Sequence, residues 1–264
     1  MINKKQIIVG TSGWGSKISY NKSLELGNKL TSYGINQFDT APTYGAGCAH
    51  HILNTLSKEN RISVNTKYGE ITKLSLKEII KRIYRFHNIN IFKKSFDFVK
   101  VDKKERFDKK FWNINNIEQY LIKFKQDLNN CEIKIFYLHS PPYDILNKEY
   151  LNNLIKLMNK YNISLGVSWP DYRDLELLSN NFPNIAVQIS LNTFNNLSID
   201  IYSNIKTLHI NSIFKNNSKN KEVHQNRFTT KINNFLKSNE KYSLVLGINS
   251  DNSIKNLKHL LVNA

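Results

Sequence analysis

Cysteine is almost absent from this sequence: Cys48 and Cys131 are the only two among 264 residues. Two thiols cannot build a disulfide framework, and their spacing fits no metal-ligand pair. Long apolar runs are missing as well. None approaches the roughly 20 residues that a membrane-spanning helix needs. The start, Met1-Ile2-Asn3-Lys4-Lys5, leads straight into the short strand-like run Gln6–Gly10. That run is too short for the apolar region of a secretory leader, and no small-residue cleavage site follows it. Internal repeats and linkers are also lacking. These absences predict a single domain in a reduced, cytoplasmic protein.

Acidic residues are scarce: 21 Asp plus Glu stand against 38 Lys plus Arg, for a net charge of +17. Such a balance suits polyanion binding, because each phosphate neutralised releases a counterion. No nucleic-acid-binding motif accompanies it, and the abundance of Lys, Asn and Ile reads as a composition bias. Nucleic acid is therefore not the expected partner. What is plentiful is apolar and aromatic material, 40% of residues with 14 Phe and 13 Tyr, enough for one large core.

Strand-like runs recur with helical patterns between them, the habit of βα units. Strands are predicted at Ile7–Thr11, Asn36–Asp39, Ile62–Lys67, Ile133–His139, Ile163–Ser168, Ile185–Ser190, Ile205–Ser212 and Ser243–Ile248. Helices are expected near Ser23–Tyr33, Cys48–Lys58, Leu74–Phe86, Ile114–Asn130, Glu149–Tyr161, Leu175–Asn181 and Asp251–Leu261. Eight strands in this order predict an α/β fold, a single (β/α)8 barrel of the TIM type. Between the third and fourth strands lies a long basic excursion. Residues 71–110 hold 13 Lys plus Arg and 5 Asp plus Glu. It reads either as a solvated Lys-rich flank or as a lid with an anion contact. A second polar stretch, Lys215–Arg227, follows the seventh strand.

Phe38-Asp39-Thr40-Ala41-Pro42-Thr43-Tyr44-Gly45 is the most informative segment. Asp39 closes an apolar run, Tyr44 follows in a loop, and Lys67 and His139 each end a later strand. A parallel barrel opens all its strand ends onto one face, so these four side chains can meet there. An ammonium near a phenol favours the phenolate and makes the phenol a better acid. Lys67 can act so on Tyr44, with Asp39 as counter-charge and His139 as hydrogen-bond donor to a carbonyl oxygen. Singly, each has a plain structural reading: Asp39 as a cap, Tyr44 as a packed aromatic, Lys67 as a surface lysine, His139 as a core histidine.

Taken together, FDTAPTYG, Asn65-Thr66-Lys67-Tyr68-Gly69 and Phe136-Tyr137-Leu138-His139-Ser140-Pro141 resemble the aldo-keto reductases over most of the chain. The resemblance implies a catalytic tetrad of Asp39, Tyr44, Lys67 and His139. None of these can supply hydride, so it also implies a nicotinamide cofactor, NADP or NAD. The sequence has no G-x-G-x-x-G, which fits a family that lays the dinucleotide across the barrel mouth. Ser168 in Gly166-Val167-Ser168 and Gln188 in Val187-Gln188-Ile189-Ser190 match the positions that hold the nicotinamide carboxamide. Trp169 replaces the Asn that follows in many members, and Asn192 matches a recurrent position nearby.

Asn211-Ser212-Ile213-Phe214 resembles the R-S-V-F stretch of a small branch linked to surface-sugar biosynthesis, with Asn211 in place of Arg. It implies cofactor contacts from Ser212 and Phe214. Gly247, Asn249 and Ser250 match the eighth-strand phosphate turn. Lys255 is the nearest base there, which leaves NADP only narrowly ahead of NAD. The implied substrate is a small aldehyde or ketone, sugar-like or phosphorylated, and no metal is implied. Cys48 and His50 read as ordinary residues of the second helix. The competing reading is a catalytically inactive barrel serving as cofactor sensor or scaffold.

Overall fold

The computed structural model describes residues 3–69, 109–211, 236–237, 240 and 242–262. Eight strands run in sequence order around a closed barrel: β1 (Ile7–Gly10), β2 (Gln37–Asp39), β3 (Ser63–Tyr68), β4 (Glu132–His139), β5 (Ser164–Ser168), β6 (Ala186–Ser190), β7 (Leu208–Asn211) and β8 (Tyr242–Gly247). Every neighbouring pair is parallel, and β8 closes on β1 through Ile7↔Leu244 to Gly10↔Gly247. Every strand direction is therefore shared, and all eight C-terminal ends open on one face. Of the remaining expectations, the Leu74–Phe86 helix, nearly all of the basic excursion and Lys215–Arg227 lie outside the described residues.

Among the described residues the helices are α1 (Tyr20–Ser32), α2 (Cys48–Leu56), α3 (Ile114–Asp127), α4 (Lys148–Lys160), α5 (Tyr172–Asn181), α6 (Leu191–Asn195), α7 (Ile199–Asn204) and α8 (Asp251–Val262). Side-chain caps fix several starts. The Ser19 hydroxyl accepts the Lys22 amide at α1, and Asp171 and Asp174 form a reciprocal capping box at α5. Leu26 and Leu30 supply the buried stripe of α1, spaced one turn apart. Gly27 lies between them because a Cβ there would sit 2.9 Å from the Leu56 side chain of α2.

The hydrophobic core lies outside the barrel wall. Val9, Phe38, Val64, Phe136, Leu138, Val167, Val187, Ile189, Leu208, Ile210 and Leu244 face outward and pack with the helices in one large cluster. Side chains alternate along a strand, so the intervening residues face the bore. There the content is mostly polar and charged: Asp39, Asn65, Lys67, Ser168, Gln188, His209 and Ser243, all buried. Ile135, Tyr137 and Ala186 form a small separate cluster there, and Ile8 and Val245 are buried at alternating positions of β1 and β8. The bore thus holds a polar network among a few apolar side chains, where such barrels usually stack branched aliphatic layers.

Candidate active site

Lys67 and Asp39 form the centre of that network. Both are buried, 2% and 3% exposed, and Lys67 is the one buried lysine among the described residues. Its ammonium donates to Asp39 Oδ1 and, at 3.3 Å, to the Thr40 carbonyl. A charge so far from water persists only when paired and hydrogen-bonded. The ring of Tyr44, in the 3-10 turn Tyr44–Gly47 after β2, has its centre 5.4 Å from the Lys67 nitrogen. Three of the four expected catalytic residues thus meet at one point.

His139, the fourth, ends β4 and is 8% exposed. Strand register sets it opposite Ser168 on β5. Ser168 Oγ donates to Gln188 Oε1 at 2.7 Å, and Gln188 Nε2 donates to Asp39 Oδ2 at 2.8 Å. Of the two residues expected to hold a carboxamide, Gln188 is therefore bonded directly to the Asp39 carboxylate and Ser168 is joined to it through Gln188. That link crosses 149 residues of sequence, and no local pattern announces it.

Below Lys67, Tyr137 Oη lies 2.7 Å from His209 Nδ1. Burial lowers His209 to a pKa of about 3, with Lys67 adding to the effect. Tyr137 is raised well above the phenol range, first by burial and then by Asp39. Both are neutral at physiological pH. His50 is likewise lowered to about 3, by burial and then Lys67, and its Nε2 lies 3.2 Å from Thr66 Oγ1. Its place in the core of α2 matches its reading as an ordinary helix residue. The Tyr137–His209 pair escaped sequence reasoning, although polar residues at bore-facing positions of β4 and β7 carried a signal.

On the other side of the mouth, Trp14 Nε1 donates to the Ile248 carbonyl at 2.8 Å, tying the β1–α1 loop to the end of β8. Ser250 caps α8, its Oγ accepting the Ser253 amide at 3.2 Å. A Cβ at Gly13 would collide with the Asn249 side-chain amide, which would have to move aside. Lys22 and Lys29 of α1 reach Asp251 at the start of α8, at 2.6 and 2.8 Å. These two bases near the turn were not visible in the local sequence. Asn192 is exposed on α6. Ser212 and Phe214 lie outside the described residues.

Trp169 follows Ser168 directly. Its backbone is left-handed, φ +59°, and its side chain is 44% exposed. Asn tolerates that conformation far better than Trp, which explains why Asn would suit this position.

A nicotinamide dinucleotide fits the residues present. Asn211 Oδ1 and Asn249 Oδ1, at the ends of β7 and β8, are buried with no hydrogen-bond partner among the described residues. Ser168 and Gln188 offer amide-compatible groups between them, and the start of α8 offers backbone N–H groups to a phosphate. Among the described residues, no His/Cys/Asp/Glu group could hold a metal ion, and no helix is long and apolar enough to cross a membrane.

Solved structures resemble the whole chain. The glycerol dehydrogenase of Gluconobacter oxydans superposes with a TM-score of 0.64 at 14% identity, covering 99% of this chain and 92% of that one. An aldo-keto reductase from Klebsiella pneumoniae in complex with NADPH superposes with a TM-score of 0.63 at 13% identity, covering 97% and 86%. At such identities these likenesses speak for the fold. No curated protein matches significantly in sequence. A family model does match, over residues 6–218. The chain belongs to the aldo/keto reductase family.

Proposed function

We propose that the protein reduces an aldehyde or ketone to an alcohol, using NADPH or NADH. When bound, the cofactor supplies the hydride. Tyr44 protonates the carbonyl oxygen. Lys67 makes that proton available, because its positive charge favours the phenolate that remains. Asp39 keeps the ammonium in place and balances it, and His139 orients the carbonyl oxygen. Ser168 and Gln188 would hold the carboxamide. Gly247, Asn249, Ser250 and the start of α8 would take a phosphate, with Ser212 and Phe214 as further contacts.

One observation carries this reading: a fully buried lysine–aspartate pair with a tyrosine ring 5.4 Å from the ammonium. Neither charge stabilises a barrel cheaply, and together they form a proton-donating centre. NADP is the favoured cofactor, the one bound in the similar aldo-keto reductase structures from Klebsiella pneumoniae. The substrate is proposed to be sugar-like or phosphorylated, a class that the basic balance of the chain accommodates. Neither Cys48 nor Cys131 forms a disulfide, which fits a cytoplasmic setting.

Following NAD(P)H oxidation against a panel of aldehydes, ketones and phosphorylated aldoses tests the proposal. Turnover that disappears in Lys67→Met is the expected result. Cofactor binding without turnover on any carbonyl would instead favour a sensor or scaffold.

A further inference from the structure

Gln188 spans the bore of the barrel. It stands on β6 and bonds Asp39 on β2, four strands away around an eight-strand circle and so on the opposite wall. The partners fix the orientation of its amide. A carboxylate only accepts, so the NH2 must face Asp39 and the carbonyl must face the Ser168 hydroxyl. Gln188 is 1% exposed and Ser168 fully buried. Each end of the amide thus makes one hydrogen bond.

Asp39 has two oxygens, and each has one job. Oδ1 accepts from Lys67 and Oδ2 accepts from Gln188. Without Gln188, a buried carboxylate oxygen would lose its donor, a costly state inside a protein. The carboxylate would relieve it by turning or by drawing harder on Lys67. Either response weakens the field that the ammonium exerts on Tyr44.

We infer that Gln188 is a positioning residue for the Asp39–Lys67 pair, in addition to any contact it makes with a cofactor. The inference rests on the proposed reductase reading for its kinetic consequences. The same two side chains, Ser168 and Gln188, that would receive a carboxamide also brace the proton-donating centre from across the barrel. Cofactor occupancy and readiness to give a proton are thereby linked through one hydrogen-bonded string: Ser168, Gln188, Asp39, Lys67. A residue serving only the carboxamide would need no bond to Asp39.

Gln188→Met, close in shape but without the amide, separates the two roles, and Gln188→Glu provides a second variant. The first readout needs no cofactor: the side-chain nitrogen resonance of Lys67 in 15N-lysine-labelled protein, assigned by its loss in Lys67→Met. Gln188→Met is expected to move this resonance in the cofactor-free protein. In turnover it should lower kcat about tenfold, equivalent to about 1.4 kcal/mol of barrel-bracing lost from the transition state, and shift the alkaline limb of the reduction profile upward. Gln188→Glu should recover activity only at acidic pH, where its carboxyl keeps a proton to donate to Asp39.

An unmoved Lys67 resonance and an unshifted pH profile, with only cofactor affinity weakened, would overturn the inference. If Gln188→Met fails to fold, Ser168→Ala, which releases the far end of the amide, is read in the same way. Should the unaltered protein bind no nicotinamide cofactor, the reductase reading falls. The Lys67 resonance would still decide whether Gln188 positions the pair.

Discussion

The Lys67 ammonium stands 5.4 Å from the centre of the Tyr44 ring while its hydrogen bonds run to Asp39 Oδ1 and the Thr40 carbonyl. The cation is thus held by β2 and presented to the loop that follows β2. Removing it has two separable effects. Lys67→Met leaves Asp39 as a buried charge without its cation and should cost about 3–5 kcal/mol of stability. Lys67→Met combined with Asp39→Leu removes both charges and should regain most of that loss without regaining activity. Urea unfolding of the single and double variants checks this. A double variant no more stable than the single would contradict the assignment of the loss to an unpaired charge.

The Tyr137–His209 bond at the floor of the same bore is predicted to be structural. Tyr137→Phe leaves His209 Nδ1 without its 2.7 Å partner, a loss of about 1–3 kcal/mol. Gly166→Ala should also destabilise, by about 1–3 kcal/mol, because its Cβ would press on the Tyr137 ring and come within 2.9 Å of Ile135 Cγ2. Thermal denaturation of both variants measures these costs. Unchanged stability in either would show that the bore repacks freely.

Much of the fold could be read from the sequence, because each buried strand is a short apolar run between turn residues. Boundaries moved where backbone bonding decided them. β7 starts at Leu208 rather than Ile205, whose amide instead closes α7 on the Tyr202 carbonyl. The helices α6 and α7, of 5 and 6 residues, were missed because neither is long enough to display a helical period. Asp39, Tyr44 and Lys67 were legible as chemistry-bearing residues at strand ends. Their bracing by Gln188 was not, since the partners lie 149 residues apart and meet only once the barrel closes.

Trp169 is predicted to store backbone strain. A left-handed conformation costs a bulky residue about 1–2 kcal/mol, which Asn largely avoids. Trp169→Asn should therefore raise stability by about 1 kcal/mol, less whatever the indole gains from its buried half. Guanidinium unfolding decides it, and a clear loss of stability would mean that packing outweighs the strain.

Asp174 should make stability depend on pH between about 4 and 6. Burial first, and then neighbouring Asp171, raises its pKa from 3.8 to about 6. The folded state thus binds this proton more tightly than the unfolded chain, so stability grows as pH falls through 6. Asp174→Asn keeps an acceptor for the Asp171 amide and removes the buried charge. It should melt higher than the parent at pH 7, with the gap closing toward pH 4. Asp251 acts in the opposite sense. Its bonds to Lys22 and Lys29 lower it to about 2, and their contribution fades as pH falls from 3.8 toward that value. A pH-independent gap between Asp174→Asn and the parent would contradict the first assignment.

The central claim is that Tyr44 is the proton donor of a nicotinamide-dependent carbonyl reductase. It is tested most directly by fluorescence titration with NADPH and with NADH, on the unaltered protein and on Tyr44→Phe, alongside carbonyl reduction by both. Micromolar affinity is predicted for at least one cofactor, unchanged in Tyr44→Phe, whose turnover should fall about a thousandfold with the loss of its acid. Failure to bind either cofactor, or undiminished turnover in Tyr44→Phe, would contradict the account.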